Sequence, residues 1–259
     1  MRFLFIGGDP RTRWAMEEIW AAGYDVASWP GDPADKLVLP LPAFRGEHIT
    51  GGPPLEAIIP LLRPGVTVLG GVLGTHQNTL ERTGATIIDY FQDEVLTAAN
   101  ANITAEGAIS LVMSKLPVTI SGLPVLICGW GRIGQLLAAK LRALGAKVTV
   151  QARKKRDLAM IQAMGYGVMP TGQVSSLGIF PVIINTIPAP VYSGRELLGT
   201  CEECLLVELA SVPGLEHTPL RPVTTAAGLP GIYAPQTAGR LIGRTIMRLV
   251  EEESSHFSG

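Results

Sequence analysis

Gly129, Gly131 and Gly134 stand in the run GWGRIG, directly after the apolar segment PVLIC and directly before an amphipathic stretch from Gln135 to Leu144. The spacing G-x-G-x-x-G framed by a strand and a helix has a physical meaning. The first glycine permits a tight turn, the second lets backbone approach a pyrophosphate, and the third lets the helix pack closely on the strand. The helix N-terminus adds an attraction for negative charge. This arrangement suits a dinucleotide, with Gly129, Trp130, Gly131, Arg132, Ile133 and Gly134 as the phosphate-binding residues; the competing reading is an ordinary glycine-rich turn.

About twenty residues further on, dinucleotide sites selective for NAD carry an acid for the ribose hydroxyls. Here the chain reads QARKKRD. Arg153, Lys154, Lys155 and Arg156 offer cations at the end of the second strand, where an adenosine 2′-phosphate would sit, so NADP is expected over NAD. The bland alternative is a solvated basic turn leading into a helix. Two further segments, Asn185-Thr186-Ile187-Pro188 and Glu208-Leu209-Ala210-Ser211, follow buried strands and should lie at their carboxyl ends, where open α/β sheets bind ligands. Thr186, Ile187, Pro188, Ala210 and Ser211 therefore join the expected cofactor residues, against the reading that prolines merely punctuate strand ends.

Other residues of the right chemical type lack supporting context. Cys201 and Cys204 form a CxxC, but no second pair or nearby His completes a zinc site, and the intervening Glu202 and Glu203 should raise the thiol pKa values. No metal site is expected. His76 follows the glycine-rich GGVLGT and could lie near a cleft, whereas His48, His217 and His256 sit in polar or terminal surroundings.

The elements that position these residues follow from patterning. Short runs of Val, Ile and Leu alternate with helix-like stretches, the sign of parallel sheets covered on both faces. The expected class is α/β, with two open α/β domains and the second a Rossmann-type doubly wound sheet. In the first domain, residues 1–103, strands are expected at Phe3–Ile6, Asp25–Ser28, Val66–Leu69 and Thr86–Ile88. Helices are expected at Arg11–Ala22, Leu55–Leu62 and His76–Arg82. The interval Pro30–Pro54, rich in Pro and Gly, reads as loop with one short strand at most. A linking helix over 104–116, capped by Thr104, leads to the dinucleotide domain at 117–235, with strands at Leu123–Cys128, 147–150, Val182–Asn185, Leu205–Leu209 and Val223–Ala226. Leu241, Ile242, Ile246, Leu249 and Val250 form a helical stripe, so residues 236–259 should return as a helix to the first domain.

At 259 residues, with 17% charged and 47% apolar residues, the chain has ample material for two cores. Its 21 basic and 22 acidic residues nearly cancel, which argues against nucleic acid or a membrane surface as partner. The apolar start is too short for a signal peptide or a span, and with three cysteines a reducing, cytoplasmic setting is expected.

Taken in order, GWGRIG, NTIPAPV, ELASVPG and AAGLPGIYAPQTAG resemble the A-subunit family of dipicolinate synthase. The family's GGDxR is matched by Gly7, Gly8, Asp9 and Arg11, and its TxEG by Thr104, Glu106 and Gly107. The likeness runs over essentially the whole chain and is strongest from Gly129 to Gly239. It implies a cofactor domain similar to those of 2-hydroxyacid dehydrogenases. It further implies an NADP-linked oxidation of dihydrodipicolinate to dipicolinate, the dicarboxylate of bacterial spores and sporulation, carried out with a flavoprotein-like B subunit. The site would lie in a cleft between the domains, with Asp9, Arg11, Thr104, Glu106 and Gln236 as substrate candidates. No acid-base relay is readable, since Ser211 stands near where the dehydrogenases place a catalytic arginine. The chain departs from the family pattern at Glu208 (an Asp there), Leu215 (Gly), Ala227 (Pro) and Gln236 (Lys). A lysine could neutralise a substrate carboxylate, whereas glutamine can only hydrogen-bond it. Two alternatives stay open: another NAD(P)-dependent oxidoreductase acting on small carboxylic acids, and a cofactor-binding subunit without chemistry. A homo-oligomer is compatible with both.

Overall fold

A computed structural model describes residues 1–256, with side chains through Glu253. The chain forms two compact units, Met1–Asn100 with the C-terminal segment from Pro230, and Ala101–Leu229. Both are α/β with wholly parallel main sheets, as the patterning predicts.

The first unit runs β1 (Arg2–Phe5), α1 (Thr12–Ala21), β2 (Asp25–Ser28), β3 (Lys36–Val38), β4 (Phe44–Arg45), β5 (His48–Ile49), β6 (Thr67–Gly70), α2 (Gln77–Glu81) and β7 (Thr86–Asp89). Its sheet has the order β2-β1-β3-β6-β7, while β4 and β5 make a separate antiparallel hairpin. Pro30–Pro54 is therefore more than loop, because β3 is the central strand. Its charge at Lys36 disguises it. The ammonium is buried and donates to Thr67 Oγ1 at 2.8 Å and to Glu253 Oε2 at 2.8 Å, and Glu253 arrives from the far end of the sequence. The helix expected over Leu55–Leu62 is instead two 3-10 turns, Leu55–Ala57 and Ile59–Leu61. Pro60 lacks the N–H that a continuous α-helix would need there, and its ring would clash with the carbonyl four residues back.

The C-terminal helix, Pro235–His256, packs within this first unit. Ile242, Ile246 and Val250 share a buried cluster with Ala15 and Ile19 of α1 and with Phe3 and Phe5 of β1. Residues 257–259 of the expected helix, and the His256 side chain, lie outside the described residues.

The helix expected from Thr104 begins ten residues earlier. α3 is Glu94–Lys115, so Thr104 is a buried residue inside it and not its cap. Asp93 is the cap: its Oδ1 accepts the Leu96 N–H at 2.8 Å and its Oδ2 accepts from Arg248 of the C-terminal helix. Burial pushes the Asp93 carboxyl up, but the Leu96 amide and the Arg248 guanidinium outweigh it, and its pKa lies below the ordinary value. A depressed carboxyl stabilises the fold above its unfolded pKa, and that contribution is lost as pH falls through the folded value. Asp93→Ala is therefore expected to cost about 1 kcal/mol at neutral pH, a typical cap value. Urea unfolding of both proteins at neutral and strongly acidic pH should show the difference shrinking in acid; a constant difference would mean the charge contributes nothing.

The second unit runs β8 (Pro124–Cys128), α4 (Arg132–Ala143), β9 (Lys147–Ala152), α5 (Lys155–Ala163), β10 (Gly167–Pro170), β11 (Val182–Asn185), α6 (Gly194–Leu197), β12 (Leu205–Glu208) and β13 (Val223–Thr225). The order β10-β9-β8-β11-β12-β13, parallel throughout, is the doubly wound Rossmann arrangement. Val125 and Ile127 enter the core on one face, while Leu126 and Cys128 enter the other. Each fully buried aliphatic side chain contributes roughly 1.5–3 kcal/mol, which explains why β8 and Val182–Ile184 of β11 are apolar runs. The strand order reverses between β8 and β11, and a crevice forms there at the carboxyl ends.

Candidate cofactor-binding site

The glycine run sits at that reversal point. Gly129 follows β8 with φ +111°, a conformation that suits glycine, and a Cβ there would overlap the Thr186 hydroxyl. A Cβ on Gly134 would overlap the Gly129 carbonyl oxygen, so this position lets α4 lie close on the strand end. Gly131 differs. It is the N-cap of α4, and a Cβ there would meet no protein atom within 4 Å. The open space before the first turn of α4 is where a pyrophosphate would face the backbone N–H groups of a helix N-terminus. The residues present thus fit a dinucleotide.

Beside this turn lies a groove of about 550 Å³ lined by Trp130, Gly131, Gln135, Lys154, Arg156 and Met160, with Asp157. Lys154 caps α5 and Arg156 lies in its first turn, 3.4 Å from Asp157. Both cations are exposed. Arg153, also exposed, follows β9 but does not line the groove. Gln135 and Met160 line it although neither is among the expected cofactor residues. Met160 is four residues beyond Arg156 on α5, one helical turn away, and that spacing is the available signal. Trp130 is fixed by an edge contact with Tyr166, ring centroids 5.9 Å apart, and Gln135 donates to the Trp130 carbonyl at 3.0 Å.

On the other side of the reversal point, the loops after β11 and β12 are tied to the glycine turn and to each other. Thr186 donates to the Cys128 carbonyl at 2.8 Å, and Ile187 would touch a Cβ on Gly129. Asn185 is fully buried and Glu208 nearly so, and the amide of Asn185 donates to both carboxylate oxygens at 2.9 and 3.0 Å. Glu208 also accepts the N–H groups of Ala210 (2.9 Å), Gly214 (2.8 Å) and Leu215 (3.0 Å). Ala210 is buried, whereas Pro188 and Ser211 are exposed.

The substrate candidates fall in both units. Asp9 and Arg11 lie after β1, where the first sheet reverses its order between β1 and β3. Arg11 is buried and already matched: Nε and Nη2 bond the Asp9 carboxylate, and Nη2 also donates to the Leu41 carbonyl. A Cβ on Gly231, within the short helix Leu229–Tyr233, would come 3.3 Å from Arg11 Nε, so this glycine lies beside the guanidinium. Gln236 is exposed in the first turn of the C-terminal helix. Glu106, in the second unit, is paired with Lys140 of α4 at 2.9 Å and accepts from Asn102. The Arg11–Leu41 and Glu106–Lys140 pairings join residues about thirty positions apart, close only after folding, and no local pattern announces them.

His76 bonds the Gly46 carbonyl at 2.9 Å and packs on Phe44, an engagement with the β4–β5 hairpin. Burial, followed by the neighbouring Cys201, pushes the Cys204 thiol up to about 12. Burial rather than the expected Glu202 and Glu203 is thus what raises this thiol. Among the described residues no group of three His, Cys, Asp or Glu could hold a metal ion, and no helix is long and apolar enough to cross a membrane.

No family model matches the chain. It is 28% identical to the A-subunit of dipicolinate synthase from Bacillus subtilis (strain 168), over 97% of this chain and 96% of the relative. The crystal structure of the dipicolinate synthase A-subunit from Bacillus halodurans superposes with a TM-score of 0.84 at 27% identity, covering 96% of this chain and 97% of that one. D-lactate dehydrogenase from Escherichia coli superposes at 0.67 with 9% identity over 98% of each chain, a likeness of fold alone. With near-complete coverage in sequence and in structure, the chain is a homologue of the dipicolinate synthase A-subunit, built on an α/β fold that extends to the dehydrogenases.

Proposed function

We propose that this chain is a nicotinamide-dependent oxidoreductase that takes NADP and oxidises dihydrodipicolinate to dipicolinate, working with a flavoprotein-like B subunit. The observation that carries the reading is the open space before α4 at Gly131, set at the reversal point of a Rossmann sheet with Lys154 and Arg156 beside it. The homology to one component of dipicolinate synthase supports the substrate and the partner.

When bound, NADP would supply the hydride acceptor, and the substrate would lose one hydride and one proton as its ring becomes aromatic. Backbone N–H groups of the first turn of α4 would hold the pyrophosphate, and Lys154 and Arg156, which line the groove beside it, would take the adenosine side. Thr186, Ile187 and Pro188, with Ala210 and Ser211, would border the other half and shield it from water once it is bound. Aromatisation makes hydride loss favourable, so the protein's main task is orientation. Asp9, Arg11 and Gln236 are proposed as substrate-binding residues of the first unit, and Thr104 and Glu106 as substrate-binding residues of the second, each within its own unit.

The test is to incubate the chain, with and without its flavoprotein-like partner, with NADP⁺ and freshly generated dihydrodipicolinate, following nicotinamide absorbance and dipicolinate. Formation of both products in step is expected. Tight NADPH binding without turnover, even with the partner present, would favour a cofactor-binding protein without chemistry. Turnover only with hydroxy or keto acids would move the substrate elsewhere.

A further inference from the structure

We propose that Glu208 is a positioning residue for the nicotinamide half of the cofactor, acting by clamping together the loops after β11 and β12. The proposal rests on the proposed cofactor site and adds a role for a residue that touches neither pyrophosphate nor adenosine. The cations after β9 lie on the β8–β9–β10 side of the reversal point, so the adenosine half takes that side. The remaining half of a dinucleotide then falls over the carboxyl ends of β11 and β12, where Glu208 sits.

The chemistry of the clamp requires a carboxylate. Oε1 accepts from Asn185 and Ala210, and Oε2 accepts from Asn185, Gly214 and Leu215. Every one of these partners is a neutral donor. Only an ionised carboxylate presents acceptors alone at both oxygens. An amide of the same shape would place an NH₂ group against N–H donors, leaving buried polar groups unpaired. Asn185 completes the tie, since its Oδ1 accepts the Ile187 N–H at 3.0 Å and its amide also reaches the Ile187 carbonyl at 3.0 Å. One buried carboxylate thereby sets the backbone on both sides: Ile187 through Asn185, and Ala210, Gly214 and Leu215 directly. The clamp also explains Gly214, where a Cβ would come 2.5 Å from the Ala189 carbonyl and 2.6 Å from the Asn185 amide nitrogen. Its lack of a side chain lets the two loops meet.

The test compares a whole cofactor with the same molecule lacking nicotinamide. Calorimetric affinities for NADP⁺ and 2′-phospho-ADP-ribose are measured on wild type, Glu208→Gln and Glu208→Asp, or for NAD⁺ and ADP-ribose if the wild type takes that cofactor. Glu208→Gln is expected to weaken the whole cofactor roughly tenfold, about 1.4 kcal/mol, while leaving the truncated ligand unchanged. Glu208→Asp, which keeps the charge and shortens its reach, should recover part of the loss. Equal affinities of wild type and Glu208→Gln for the whole cofactor would overturn the proposal, as would a parallel loss for both ligands. Should Glu208→Gln fail to fold, Glu208→Asp alone carries the comparison, with the same two outcomes deciding against. Wild type that binds neither ligand would sink the cofactor reading itself, a result distinct from failure of the clamp.

Discussion

Gly131→Val is expected to abolish dinucleotide binding while leaving the fold intact, at a cost in stability of no more than about 1 kcal/mol. The two halves of that expectation come from one observation. A Cβ at Gly131 meets no protein atom within 4 Å, and its φ of −82° is one that any residue adopts. The fold uses glycine there only as a tolerated N-cap, so valine should cost the helix no more than about 1 kcal/mol. A valine would project its methyl groups into the space before α4, where the pyrophosphate must approach backbone N–H groups closely. Hydrogen bonds to a charged group are worth roughly 1.5–3 kcal/mol each, and displacing the pyrophosphate from two of them would cost about a hundredfold or more in affinity. Calorimetry with NADPH and a thermal melt on the same preparation separate binding from stability. Gly134→Val is the contrast, since there the side chain would overlap the Gly129 carbonyl oxygen and the melt itself should fall. Unchanged NADPH affinity in a folded Gly131→Val protein would mean that the glycine turn is not where the dinucleotide binds.

That contrast also shows which parts of the site a sequence can carry. G-x-G-x-x-G framed by strand and helix is a local pattern whose meaning depends on neighbours in the chain, and the fold sets it at the reversal point of the second sheet. The apolar runs of β8 and of Val182–Ile184 in β11 are legible for the same reason, because two buried faces leave no polar alternation. β3 is hidden because Lys36 looks like a surface residue, and its partner Glu253 is more than two hundred positions away. The early turns of α3 are hidden because EVLTAANA offers mostly small residues and little periodicity, so that Asp93 does not stand out as the cap. β10 is an edge strand in which only Met169 is buried, too little to make a pattern. Glu208 stands in a segment expected at a strand end, yet its partners are mainly backbone N–H groups, which have no letter in a sequence.

Arg153→Asp is expected to weaken NADPH binding sharply and leave NADH nearly unaffected. Arg153 follows β9 and is exposed, with Lys154 and Arg156 lining the groove just beyond it. A guanidinium or ammonium here can make charge-assisted hydrogen bonds to a 2′-phosphate that NADH lacks, whereas an aspartate would repel it. Such bonds are worth roughly 1.5–3 kcal/mol, so the wild type should prefer NADPH by about ten- to a hundredfold. On the proposed NADP reading, the groove lining says which cations should carry most of the load. Lys154 and Arg156 line it and Arg153 does not, so Lys154→Ala with Arg156→Ala should remove at least as much of the preference as Arg153→Asp. Asp157 lies 3.4 Å from Arg156 and limits how much free charge that side chain brings. Exposed ionic contacts are screened by salt, so the preference of the wild type should shrink as ionic strength rises, and the variants should respond less because fewer contacts remain to be screened. Titrating both cofactors into wild type and variants at two salt concentrations reads all of this at once. If the wild type binds NADH as tightly as NADPH, the basic run is a solvated turn at the start of α5 and the cofactor is not selected there.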